Sequence, residues 1–242
     1  MKIKLVGDHG NSLLEKLRSL GFELVDENPE VIIAYGGDGA LIGAQREFPK
    51  EPKLGIRRDD TCIKCPEHQD DVVLEKLLAG MLPEDELMLL RAERNRTVLI
   101  AMNDVIIRNA DARTAVRFVV KLNDKPVTEE MIGDGLVACT PFGSSAYFRS
   151  ITRTVTRVGI GLAFNNCTDL LHHLVIGEDE RAVVQLRRGP AILAADNDPR
   201  TYEMDTGEEL LISKADSVAR VLAVDTLRCA ACRYVHAPRR RY

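Results

Sequence analysis

Two aspartates set among glycines carry the most pointed chemistry in the chain. Gly36-Gly37-Asp38-Gly39 directly follows an apolar run, residues 31–35, and Gly133-Asp134-Gly135 opens a longer segment that ends in Thr140-Pro141-Phe142-Gly143-Ser144-Ser145-Ala146-Tyr147. A glycine-rich turn between a buried strand and a helix leaves backbone N–H groups facing outward, and the helix N-terminus adds partial positive charge, so an anion is favoured there. Asp38 stands where that anion would approach. A carboxylate at this point weakens phosphate binding unless it binds Mg²⁺ or accepts a proton from an attacking hydroxyl, and both roles belong to phosphoryl transfer. The plainer reading of Gly-Asp-Gly is a turn with no further role, and the tetrapeptide alone does not decide between them. It is neither a P-loop, which needs Gly-Lys-Ser/Thr, nor a Gly-x-Gly-x-x-Gly fingerprint. The second segment is poor core material, because Thr, Ser and Gly bury little apolar area. Those residues do let a ligand approach the backbone and supply short donors and acceptors.

Six cysteines pose a separate question. Cys62/Cys65 and Cys229/Cys232 each have Cys-x-x-Cys spacing, half of a tetrathiolate zinc site. Only the fold could join two halves so far apart in sequence. A structural Zn²⁺ held by all four is one reading, and local disulfides or ordinary thiols are the other. Cys139 lies in the apolar run of the second segment and reads as packing, with no His or Lys beside it to activate a thiol. His9 and His68 read as surface loop residues, while His172 and His173 would face opposite sides of a strand, which argues against a shared ion.

The elements that must position these groups follow from hydrophobic rhythm. Met1, Ile3 and Leu5 alternate with lysines as a strand would, and Leu13, Leu17 and Leu20 share a helix face that Gly21 closes. Residues 22–25, 31–35 and 53–56 predict further strands, the second of them apolar throughout, as in a parallel sheet covered on both faces. Residues 40–47 and a segment around Leu74, Leu77 and Leu78 predict helices. Strand–helix alternation of this kind marks an α/β layer. From Leu87 onward the rhythm becomes short and β-rich, at 97–101, 105–108, 116–122, 182–186, 192–195 and 210–213, with Asn123-Asp124-Lys125-Pro126 as a hairpin turn. The fold class expected is an α/β N-terminal domain, parallel sheet with helices, followed by a β-rich C-terminal domain. Their boundary falls between residues 83 and 95, giving 1–90 and 91–224.

With 242 residues, 45% hydrophobic and 29% charged, the chain has the make-up of a soluble globular protein. A net charge of −4 argues against a nucleic-acid partner, and Arg239-Arg240-Arg241 reads as a solvated tail. No apolar run approaches the ~20 residues of a membrane span, and no signal-peptide core is visible, so a cytoplasmic protein without a membrane partner is expected.

Taken in order, Gly36-Gly37-Asp38-Gly39, Asn103-Asp104, Gly133-Asp134-Gly135-Leu136, Thr140-Pro141, Gly143-Ser144 and Ala146-Tyr147 resemble the NAD kinase family. The likeness covers the chain up to about Ser150. It implies a two-domain NAD kinase-like fold whose C-terminal tail, 225–242, packs back on the first domain. It implies Asp38 as the base that takes the proton of the adenosine-ribose 2′-hydroxyl of NAD, with Gly36, Gly37 and Gly39 near the phosphates. Asn103 and Asp104 would contact the adenine and ribose, and Asp134 the nicotinamide side. Thr140, Ser145, Ala146, Tyr147 and Ser150 would line the pocket, and Asp196 would stand near the phosphates. ATP with Mg²⁺, or polyphosphate, is the implied donor, and a homodimer or homotetramer the implied assembly. The chain departs from the family pattern at Ala40, Asp104, Phe142, Arg149-Ser150 and Phe164-Asn165-Asn166-Cys167. Two other readings share these residues: a non-catalytic dinucleotide-binding or regulatory protein, and a kinase for a different hydroxyl.

Overall fold

In the computed structural model of the chain the described residues are 1–7, 11–58 and 64–229. His9, Cys62, Cys232 and the terminal arginine run lie outside them. Contacts divide the chain into two compact units, residues 1–86 with 219 onward, and residues 87–218. Both divisions fall a few residues before the boundaries expected at 90 and 224, because each lies inside a continuous strand rather than in a linker.

The first unit is built of β1 (Lys2–Gly7), α1 (Asn11–Ser19), β2 (Glu23–Leu24), β3 (Val31–Tyr35), α2 (Asp38–Glu47), β4 (Lys53–Ile56), a 3₁₀ turn at Pro66–His68 and α3 (Asp70–Leu78). β1 pairs in parallel with β2 and β3, and β3 pairs in parallel with β4. Val221 and Leu222, at the end of the last strand (Glu209–Leu222), pair in parallel with Lys53 and Leu54. The unbroken apolar run 31–34 is buried on both faces, and Leu17 and Leu74 complete the core from the helices. Lys53 is the anomaly. Its side chain is fully buried, and its amine has no hydrogen-bond partner among the described residues. Burial, with Arg220 adding to it and Glu51 opposing, pushes its pKa down to about 8.

The second unit continues with β5 (Glu84–Arg94), β6 (Thr97–Ala101), β7 (Asp104–Asn109), β8 (Val116–Leu122), β9 (Lys125–Pro126), β10 (Met131–Gly133), β11 (Gly135–Cys139), α4 (Tyr147–Thr152), β12 (Ile160–Asn165), β13 (His173–Ile176), β14 (Ala182–Arg188), β15 (Ala191–Ala195), β16 (Tyr202–Met204) and β17, the last strand. One antiparallel sheet runs β13-β12-β11-β7-β15-β16. A second set pairs β10 with β8, β8 with β14 and β14 with β17, also antiparallel. Asn123 and Asp124 both have positive φ, 47° and 66°, the backbone a tight β8–β9 hairpin demands. Alternate residues of the two sheets interdigitate: Phe118 and Val120 of β8 and Val184 of β14 belong to one core with Leu136, Leu162 and Phe164. The Phe118 and Phe164 rings stack 6.3 Å apart across that core. Each ring of this kind contributes roughly 1.5–3 kcal/mol by full burial. The strand expected at 210–213 is part of the 14-residue β17, which continues into the first unit. No helix among the described residues is long and apolar enough to cross a membrane.

Candidate functional site

In the first unit, Asp38 is the opening residue of α2, and Gly37 is its N-cap. Gly36 takes φ +145°, a backbone that side chains rarely adopt, and this turns the chain from β3 into the helix. Gly37 and Gly39 are exposed. The Asp38 side chain is 28% exposed, and its Oδ1 accepts a hydrogen bond from the Arg57 guanidinium at 3.3 Å. The same Arg57 nitrogen donates to the Leu227 carbonyl at 2.8 Å, so the arginine is braced between the terminal segment and the aspartate. Arg57 was not among the sequence-derived site residues. Its position just after β4 is the one hint, since ligand-facing groups of a parallel sheet gather at the carboxyl ends of its strands.

In the second unit the predicted residues form two clusters, one at each end of β11. At its C-terminal end, Asp104 pairs with Cys139, and the Asn103 carbonyl accepts the Thr140 amide at 2.9 Å. Asp196 follows the end of β15, and its carboxylate takes three backbone N–H bonds, from Met102 and Asn103 at 2.7 Å and from Asp104 at 3.0 Å. The Asp196 carboxylate is thus anchored on the backbone of 102–104. Thr140 is fully buried, and its hydroxyl donates to the Met102 carbonyl and accepts from the Gly143 amide. Thr140 therefore holds the turn. Gly143 is forced by close approach, because a Cβ there would fall 2.1 Å from the Asn103 carbonyl oxygen. The Ser144 hydroxyl lies 2.8 Å from both the Pro141 and Thr156 carbonyls, which share its one proton, and the neighbouring Phe142 is buried.

Two groups of this cluster remain poised for a ligand. The Asn103 side-chain oxygen is buried without a hydrogen-bond partner among the described residues. An orphaned acceptor of that kind is costly, so a donor on a bound molecule would be well rewarded. Asp104 is 6% exposed, and burial, then the neighbouring Asp196 charge, raises its pKa to about 7. The buried Cys139 thiol is pushed up to about 12 by burial and by Asp104, which disfavours the reactive thiolate.

At the N-terminal end of β11, the Asp134 carboxylate accepts from the Asn166 side-chain amide at 3.2 Å, and the Asp134 N–H donates to the Asn165 carbonyl at 2.9 Å. The Asn165 side chain donates to the Tyr147 hydroxyl at 3.2 Å. α4 lays Phe148, Tyr147 and Ile151 on Val137, Cys139 and Ala163, so Tyr147 spans the sheet face between the two clusters. Ser145 and Ala146 lie in the turn leading into α4, both partly exposed. The Ser150 hydroxyl donates to the Tyr147 carbonyl and braces the helix. Five extended residues cover about 17 Å, so only an elongated ligand would touch both clusters. In the sequence Asn165 and Asn166 stand out only as a departure from the family pattern, not as site residues.

Of the four predicted metal-binding cysteines, Cys65 and Cys229 are brought together, with sulfurs 3.8 Å apart. His68, expected at the surface, joins them: the three ligand atoms lie within 4.8 Å of one another. His173 stacks edge-on against Phe148, consistent with a structural role.

No family model matches the chain. Among curated relatives, the NAD kinase of Saccharolobus islandicus (strain M.14.25 / Kamchatka #1) is 30% identical over 164 residues, covering 64% of this chain and 64% of the relative. The chain thus spans under two thirds of that protein's length. The NAD kinase of Acidithiobacillus ferrooxidans is 28% identical over 235 residues, 89% of this chain and 77% of the relative. Among solved structures, an NAD kinase from Archaeoglobus fulgidus in complex with ATP aligns with a TM-score of 0.78 at 18% identity, over 95% of this chain and 97% of that one. A glycine-flanked Asp38 after a parallel strand and an Asn-Asp pair opening a β-rich unit lie within a fold that these relatives share along most of the chain. In sequence the chain is similar to NAD kinases, and it shares the fold of a solved NAD kinase along most of its length.

Proposed function

We propose that the protein transfers the γ-phosphoryl group of ATP, delivered as its Mg²⁺ complex, to the 2′-hydroxyl of the adenosine ribose of NAD, giving NADP. One observation carries this reading: in a chain similar to NAD kinases, an aspartate opens a helix behind two glycines and is oriented by an arginine. Asp38 accepts the 2′-hydroxyl proton as the ribose oxygen attacks the γ-phosphorus. The bond from that phosphorus to the bridging oxygen breaks, and ADP leaves with the electron pair. The α2 N-terminus favours the phosphates, and Mg²⁺ neutralises charge on their oxygens. Asn103 offers its unpaired oxygen to a base amino group. Asp104, when ionised, accepts ribose hydroxyls, and Asp134 with Asn166 meets the nicotinamide side. ATP is supported as donor by the ATP complex of the Archaeoglobus fulgidus relative, and polyphosphate is the alternative with the same chemistry.

The test is incubation with NAD, ATP and Mg²⁺, with NADP read by a dehydrogenase specific for it. NADP formation supports the kinase; NAD binding without product favours the non-catalytic reading, to which the buried bulk of Phe142 also points. Absence of NAD binding points to a different hydroxyl. NADH in place of NAD, and polyphosphate in place of ATP, resolve acceptor and donor. A cytoplasmic location and self-association complete the proposal. Exposed Leu170 and Val175, the latter on the edge strand β13, offer apolar contact area. Light scattering should give a dimer or tetramer mass, and a monomer would contradict it.

A further inference from the structure

We infer that the first unit carries a structural zinc site formed by Cys65, His68 and Cys229. The turn Pro66–His68 begins at Cys65, and the His68 N–H donates to the Cys65 carbonyl at 2.9 Å. In a 3₁₀ turn, side chains three apart eclipse, so Cys65 and His68 project on the same side. Cys229 is the C-cap of the one-turn helix Asp225–Arg228, its N–H donating to the Asp225 carbonyl at 2.8 Å. The two sulfurs are 3.8 Å apart. Thiolates sharing a tetrahedral Zn²⁺ at about 2.3 Å stand about 3.8 Å from each other, whereas a disulfide would need about 2.0 Å. The pair is therefore spaced for a shared ion rather than for a bond between them. Two soft thiolates and an imidazole favour Zn²⁺ over the hard cations of phosphate chemistry.

The surroundings fit a site that holds chain together rather than one that reacts. Cys65 is 3% exposed, and its neighbour Lys64 makes a buried ion pair with Asp70 at the start of α3. The terminal helix it would clip already seats on β4. Leu227 packs over Gly55, where a Cβ would fall 2.4 Å from its Cδ1, and the Thr226 hydroxyl donates to the Gly55 carbonyl at 2.9 Å. A metal joining residues 164 apart in sequence removes much loop freedom from the unfolded chain. It also fixes the segment whose Leu227 carbonyl holds Arg57. Cys62 and Cys232 form no part of the proposed set.

The inference stands without the kinase reading, and so does its test. Protein prepared without chelator is analysed for metal, for thermal unfolding, and by X-ray absorption at the zinc edge. About one zinc per chain is expected, with at least two sulfurs near ~2.3 Å and an imidazole near ~2.0 Å in its shell. Cys229→Ser and His68→Ala each lower zinc affinity at least roughly tenfold, the loss that removing even a supporting partner brings. Cys167→Ser leaves the zinc content unchanged. A strong chelator lowers the melting temperature of the wild-type protein, and added Zn²⁺ restores it, which tests the role even if a variant does not fold. Zinc-free protein whose melting is indifferent to chelator and to added Zn²⁺ would overturn the site. A shell of four sulfurs without imidazole would remove His68 from it.

Discussion

Asp38 and Asp104 are the same side chain in two environments. Asp38 opens a helix, is partly exposed and faces an arginine. Asp104 is buried beside a second carboxylate and sits on a strand whose every neighbour is tied by backbone hydrogen bonds. The second unit thus spends its polar groups on a rigid floor: Asp196 alone fixes three amides of 102–104. The first unit keeps its carboxylate partly exposed, and the Arg57 guanidinium meets it there. In the proposed reaction, the contrast would separate holding a ligand from reacting with it. Binding needs preorganised donors and acceptors, while a base must retain a lone pair for the incoming proton.

The largest effect that sharpens this contrast is in the floor. Asp196→Ala leaves three amides without their acceptor and should cost about 3–5 kcal/mol of stability by urea unfolding. A loss below about 1 kcal/mol would mean that water replaces the carboxylate and the floor is less rigid than described.

Next comes the buried charge of the first unit. Lys53 has a folded pKa of about 8 against an ordinary 10.5, so between these values the unfolded chain holds the extra proton. Stability should rise with pH through that window, and the full penalty is present below about 8. Lys53→Met should gain about 1–3 kcal/mol at neutral pH, shrinking as the pH climbs through the window. An unchanged midpoint would show that the amine reaches water.

Arg57→Met should lower turnover roughly tenfold, about 1.4 kcal/mol, while the dissociation constant for NAD stays within about twofold. A matching loss of NAD affinity would make Arg57 a binding residue and blur the distinction between the units.

A last effect has the opposite pH sign from that of Lys53. Asp104 has a folded pKa of about 7 against 3.8, so the folded state holds the extra proton between them. Stability should fall as pH rises through that range, with the full penalty above about 7. Asp104→Asn should remove the slope, measured as melting temperature against pH, and NAD affinity should lose its rise between pH 6 and 8. A wild-type slope persisting in the variant would assign the proton elsewhere.

Much of this was legible before any coordinates. Residues 31–35 with Gly36-Gly37-Asp38-Gly39 declare a buried parallel strand and the turn after it, because an unbroken apolar run and a glycine cluster are local signals. Asn103-Asp104 and Asp134 could be singled out as well, though not that the two groups lie at opposite ends of β11. That fact comes from strand register. The contacts of Asn165 and Asn166 were hidden for the same reason: they exist only once β12 pairs with β11 and α4 lies over both. Arg57 braces itself on a carbonyl 170 positions away, and no local pattern announces such a contact. His68 looks like a surface histidine until Pro66–His68 is known to be a 3₁₀ turn that aligns it with Cys65. Thr140 shows the converse, a hydroxyl that looks like pocket lining in the sequence and is used to fasten a turn.

The division of labour is tested most directly by measuring NAD binding and NADP formation on the same preparation of Asp38→Asn. The variant should bind NAD within about threefold of wild type by calorimetry and lose about a thousandfold in turnover with Mg²⁺ and ATP, because an amide cannot take the ribose proton. Turnover within about tenfold of wild type would contradict the assignment of the base.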